Sequence, residues 1–167
     1  MAILLEQLLN GLTIGSFYAL IALGYSMVYG VMKLINFAHG DLFALGSYMG
    51  YTLLVWSAGA ISQRFGLWGG MAAALLFSFF AVGCVGVLME RIAYRPVQKS
   101  GRLPLVVSAL GASIFIENLI MAIWGPRYQA YPASVVPVHT ISLGLFNITA
   151  MQLFILILSF MLMLILY

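Results

Sequence analysis

The sequence predicts an all-α fold: a polytopic integral-membrane helical bundle of about five transmembrane segments. Three observations carry this prediction. Hydrophobic residues fill 64% of the 167 positions and charged residues 7%, against roughly 25% charged in an ordinary soluble domain. The apolar residues fall into five long runs, 8–31, 42–61, 68–89, 105–124 and 150–167. About 20 such residues, rising 1.5 Å each, cross a hydrocarbon core of about 30 Å. Short polar connections between the runs hold most of the charge. One transmembrane domain, 1–167, is expected. Its last run reaches Tyr167 without a flanking charge, so the chain is expected to stop within or just after the last helix.

No Lys or Arg precedes Lys33. A cleavable signal peptide needs a basic start and a shorter apolar core, so the first run is predicted to remain as a span. Gly11 and Gly15 lie four residues apart on it, and Gly46 with Gly50 and Gly66 with Gly70 repeat the spacing. Small residues so placed let helices approach closely where lipid removes the hydrophobic drive between them, and packing within one bundle is expected to use them. Cys84 reads as a small apolar packing residue inside the third run. Arg91, Arg95, Lys99 and Arg102 cluster in the connection 90–104, which the positive-inside bias assigns to the cytoplasm. Alternation then places 33–41 inside and both 62–67 and 125–149 outside. Lys33 joins the four inner basic residues, while Arg64 and Arg127 fall outside. Trp56, Trp68 and Trp124 lie near the outer ends, as an interfacial belt requires. Glu90 and Arg91 read as interfacial anchors. Pro126, Pro132 and Pro137 forbid a continuous helix through 125–149, which is expected to be an ordered surface connection carrying Tyr128 and Tyr131.

The segment from Asn36 to Asp41 needs explanation. It separates two apolar runs, and Asn36, His39, Gly40 and Asp41 supply a capping side chain, a flexible residue and an acid for a first helical turn. Two structures fit: a tight interfacial turn, or a chain broken at membrane depth whose second helix points its N-terminus into a polar cavity. The second implies a translocation pathway, since non-helical backbone at that depth must be buried by protein or reached by water. Asp41 could meet a substrate ammonium, though first-turn electrostatics accounts for it; His39 reads as a hydrogen-bonded structural residue. Glu117 lies in the middle of the fourth run, where a carboxylate facing lipid costs several kcal/mol. It is expected to face the pore or the bundle interior, beside Asn118.

Other chemistries find no support. The basic residues are spread over loops, so membrane lipid rather than nucleic acid is the expected environment. His39, His139 and Cys84 are too scattered for a metal site. No phosphate-binding Gly-Lys-Ser/Thr loop occurs, and no nucleophile–base set is present, so neither a catalytic role nor a cofactor is expected. An ion-coupled carrier would need more ionisable groups within the spans.

The run Asn36-Phe37-Ala38-His39-Gly40-Asp41, followed by Leu45-Gly46-Ser47-Tyr48, resembles the signature of the branched-chain amino acid ABC-importer permeases, of the LivH type. Asn10-Gly11-Leu12, Gly15-Ser16, Tyr18-Ala19-Leu20 and Ala22-Leu23-Gly24 are similar to the same family's first span. So is Glu90-Arg91-Ile92-Ala93-Tyr94-Arg95-Pro96, leading through Leu110-Gly111 into the next. The resemblance covers nearly the whole chain and weakens after Trp124. It implies a bacterial inner-membrane subunit that pairs with a second, related permease. Two cytoplasmic ATPase subunits would drive it, and a periplasmic amino-acid-binding protein would deliver leucine, isoleucine or valine. It also favours the discontinuous helix near Asn36 to Asp41, whose N-terminal dipole would suit a substrate carboxylate. The family's ATPase coupling loop would follow the span that starts near Ala150, beyond this chain. Urea and short-amide permeases carry a similar segment before Gly40, and their cargo is the alternative.

Overall fold

The computed structural model describes residues 2–33, 35–57, 60–132, 134, 139–142 and 147–166. Helix α1 spans Ala2–Met32, α2 His39–Trp56, α3 Ala60–Met89, α4 Arg102–Trp124 and α5 Ala150–Leu166. Strands β1 (Thr140–Ser142) and β2 (Asn147–Thr149) pair antiparallel, with Ile141 opposite Ile148. Ile3–Val31, Ala60–Tyr94 and Arg102–Trp124 are each long and apolar enough to cross a membrane, and Ala150–Leu166 is a shorter apolar helix. The chain is thus a helical, polytopic membrane protein. It packs as two compact units, residues 1–27 with 137–167, and residues 28–136.

In the first unit, polar side chains tie α1 to β2 and α5. Gln152 Nε2 donates to Asn10 Oδ1 at 2.6 Å, and Ser159 Oγ lies 3.4 Å from Ser16 Oγ. The Asn147 amide donates to Glu6 Oε1 at 3.2 Å. Ser159 and Thr13 are buried. Interhelical hydrogen bonds of this kind hold spans together where lipid competes with apolar packing. Gly11 and Gly15, expected as close-packing residues, sit beside open space: a Cβ at either would meet nothing within 4 Å. Strands β1 and β2 lie within the connection 125–149.

In the second unit, α2 packs on α3 and α4. The core is Ala38, Leu45, Ile116 and Ile120, with Tyr94, Leu105 and Ala109 forming a second cluster. Gly46 and Gly50 face α3: a Cβ at Gly46 would lie 3.3 Å from Val82, and one at Gly50 3.0 Å from Ser78 Oγ. Residues 62–67, read as an outer loop, are largely helical. Helix α3 begins at Ala60 and kinks at Gly66, where φ is 75° and ψ 168°. The polar run Ser62-Gln63-Arg64 concealed that start, and only a glycine adopts the Gly66 conformation without strain. Cys84, expected to pack inside, is exposed on α3.

Candidate functional site

Helix α1 ends by a left-handed step at Lys33 (φ 53°), whose amide donates to Tyr29 O at 2.7 Å. This is the backbone pattern of a helix C-cap, here without glycine. Residues 35–38 are non-helical, and α2 opens at His39. Asn36 organises that break. Its Oδ1 accepts the Ala38 amide at 3.2 Å and the Tyr94 hydroxyl at 2.7 Å, while its carbonyl accepts the His39 amide at 3.1 Å. The first contact is the local side-chain turn that lets asparagine stand in for backbone. The second reaches 58 residues along the chain. Ala38 between them is fully buried, so the break is packed rather than loose.

Tyr94 reaches Asn36 because α3 ends in a π-helical turn, Glu90–Tyr94, closed by Arg95 N to Glu90 O at 2.8 Å. The wider turn accompanies a buried tyrosine in a stretch whose charges suggested only a water-facing loop. Ser108 Oγ on α4 donates to Ala93 O at 2.6 Å and satisfies a carbonyl in that turn. Glu90 and Arg95 form an exposed pair at 3.8 Å, of the kind that contributes little.

The five residues singled out from the sequence as pathway candidates do not all converge. Asn36, His39, Gly40 and Asp41 lie together at the break and the first turn of α2. Asp41 lies in the first turn of α2, and its Oδ2 accepts the Ser113 hydroxyl, joining α2 to α4. Gly40 is exposed, and a Cβ there would meet nothing within 4 Å. Glu117 stands one turn beyond Ser113 and is exposed on this chain. Its helical neighbours Ile116 and Ile120 take the core face. Asn118 is exposed as well, its amide satisfied by Ile114 O at 2.7 Å.

Sequence reasoning missed Tyr94, Ser108 and Ser113, whose partners are distant in the chain. It also missed how far the segment after α4 returns along α2. Gly125, at φ 81°, turns the chain before Pro126. Trp124 Nε1 donates to Thr52 Oγ1 at 2.8 Å, and Tyr131 then donates to Ser47 O at 2.8 Å, more than a turn back towards the α2 start. Between the segment and α2 lies a cavity of about 540 Å³ lined by aromatic residues, Ser47 and Gln129.

Residues 7–167 match the family model described as the permease component of the branched-chain amino acid transport system. The chain belongs to this family. It is 41% identical over 132 residues to the high-affinity branched-chain amino acid transport permease LivH of Salmonella typhimurium, and equally so to LivH of Escherichia coli K12. It is 42% identical over 128 residues to BraD, a permease of the same description from Pseudomonas aeruginosa. Each match covers 77% of this chain and 41% of the relative, so the chain spans well under half the length of these proteins. No solved structure matches it. Family and helices together make it a multi-pass bacterial inner-membrane protein, from a family of transport components rather than enzymes.

Proposed function

We propose that this chain forms part of the permease of an ABC importer for leucine, isoleucine and valine. The family match across 7–167 carries the reading, and the relatives named for high-affinity branched-chain amino acid transport support the cargo. ATP hydrolysis is assigned to two separate cytoplasmic subunits. A second related permease completes the pore, and a periplasmic binding protein delivers the amino acid.

The substrate pathway passes the helix break, with Asn36, His39, Gly40 and Asp41 at the start of α2 and Glu117 on the exposed face of α4. A broken helix supports this role: its first turn leaves backbone N–H groups without intrahelical partners, and its dipole favours a carboxylate. The Asn36–Tyr94 and Asp41–Ser113 contacts brace that helix end. Import driven by ATP needs no proton relay, so Asp41 and His39 act by position.

The test is uptake by the complete gene product, reconstituted in proteoliposomes with its partner subunits, measured for labelled leucine beside labelled urea. Leucine accumulation that depends on ATP is expected. Urea accumulation in its place would keep the machine and change the cargo, and uptake of either without ATP would overturn the ABC reading.

A further inference from the structure

Two tyrosine hydroxyls in the cavity beside α2 have a fixed hydrogen-bond direction. Tyr131 meets a backbone carbonyl, Ser47 O, so its hydroxyl must donate. Gln129 points its Nε2 at Trp124 O, 3.2 Å away, which turns its Oε1 towards Tyr51. The Tyr51 hydroxyl, 3.1 Å from that oxygen, therefore donates too. The Tyr51 and Tyr131 protons are thus spent on the wall, and the lone pairs of these two hydroxyls remain for whatever enters. Burial pushes the Tyr131 phenol above its ordinary value of 10.0. The Tyr51 and Tyr131 rings meet edge to face, with centroids 5.6 Å apart. Tyrosine faces are electronegative. Among the described residues, no Lys, Arg, Asp or Glu lines the space.

Aromatic faces and hydroxyl oxygens in a lining without formal charge complement an ammonium better than a carboxylate. A volume of about 540 Å³ falls in the usual range for small-ligand sites. Phe43 and Ala44 add an apolar surface. We propose that this cavity binds the ammonium end of an apolar amino acid, with the Tyr51 and Tyr131 oxygens and ring faces on the ammonium and Phe43 and Ala44 on the side chain. The amino-acid assignment rests on the transport reading above; the choice of ammonium over carboxylate rests on the cavity alone. The site is separate from the helix break, whose amides attract the opposite end of the same molecule.

The experiment uses the complete permease, assembled with its partner subunits in nanodiscs without ATP, and labelled leucine as the probe. Competitors are 3-methylbutylamine, which lacks the carboxylate, and 4-methylpentanoate, which lacks the amine. The amine should displace leucine about as well as unlabelled leucine does, and the acid about tenfold less well. Ala130 is exposed on the cavity rim, so Ala130→Trp fills the space without entering a core and should abolish binding while the complex still assembles. Tyr51→Phe should weaken leucine and the amine by a similar factor. Equal competition by acid and amine, or unchanged binding in Ala130→Trp, would overturn the proposal. ATP-driven leucine uptake with an unchanged KM in Ala130→Trp would remove the cavity from the pathway and leave the transport reading standing. Amine-selective binding in a complex that imports no amino acid would instead overturn the transport reading.

Discussion

Replacing Asn36 by alanine tests whether one side chain holds the helix break together. Its Oδ1 accepts two hydrogen bonds, from Ala38 N and from the hydroxyl of Tyr94, which is only 7% exposed. Each lost bond costs about 1 kcal/mol. Asn36→Ala should therefore destabilise by about 2 kcal/mol. Tyr94→Phe removes only the donor. Asn36 keeps its Ala38 contact, and the cost should be about 1 kcal/mol. Once Tyr94 is phenylalanine, Asn36→Ala has only the Ala38 bond left to lose. The double mutant should thus fall short of the sum of the singles by about 1 kcal/mol. Reversible unfolding of the complete permease in mixed micelles, followed by tryptophan fluorescence, supplies all four free energies. Additive effects, or Asn36→Ala costing no more than Tyr94→Phe, would refute the linkage of the break to the π-helical turn through Asn36.

Glycine spacing should divide by context. Gly50→Ala, whose methyl would meet Ser78 Oγ at 3.0 Å and Tyr131 Oη at 3.3 Å, should cost about 1–3 kcal/mol, whereas Gly11→Ala, facing open space, should be neutral or slightly stabilising by the same unfolding assay. Gly66→Ala forces a side chain into a left-handed conformation and should cost about 1–3 kcal/mol, seen as a lowered Tm. Because burial raises the Tyr131 pKa, the folded state holds that proton more tightly than the unfolded state. Its contribution is complete below 10.0 and lost as pH rises through the folded value. Tyr131→Phe should therefore flatten the alkaline loss of stability relative to the parent.

Hydropathy made the helices legible: both ends of α4 and α5 and the C-terminal end of α1 fall close to the ends of their apolar runs. Apolar length alone settles that part of the fold. The start of α3 was hidden because Ser62, Gln63 and Arg64 are polar yet helical, and polarity near a helix end does not separate helix from loop. Four-residue glycine spacing was visible three times, but its meaning depends on the opposing surface. Val82 and Ser78 face Gly46 and Gly50, and nothing comes near Gly11 or Gly15. At the site, the break and the likeness of Asn36 to a helix-capping residue could be read locally. Asp41 could not, because its partner Ser113 is 72 residues away and a first-turn acid already had a sufficient local explanation. Tyr94 was concealed by the arginines around it, and the return of Tyr131 along α2 left no periodic trace.

A helix break that lines the substrate pathway must be reached by water and must change its surroundings as the transporter cycles. Single cysteines at Asn36, His39, Gly40, Asp41 and Glu117, in a complete permease with Cys84 and any other native cysteine replaced, test this through the rate of labelling by a membrane-impermeant thiol reagent. Labelling should be measured with the ATPase subunits resting, nucleotide-trapped and turning over. The break positions should label, at rates that change between states, while a control on the basic loop, such as Lys99→Cys, stays constant. Rates at the break that match Lys99→Cys in every state, or no labelling at any of the five, would contradict a pathway through the break.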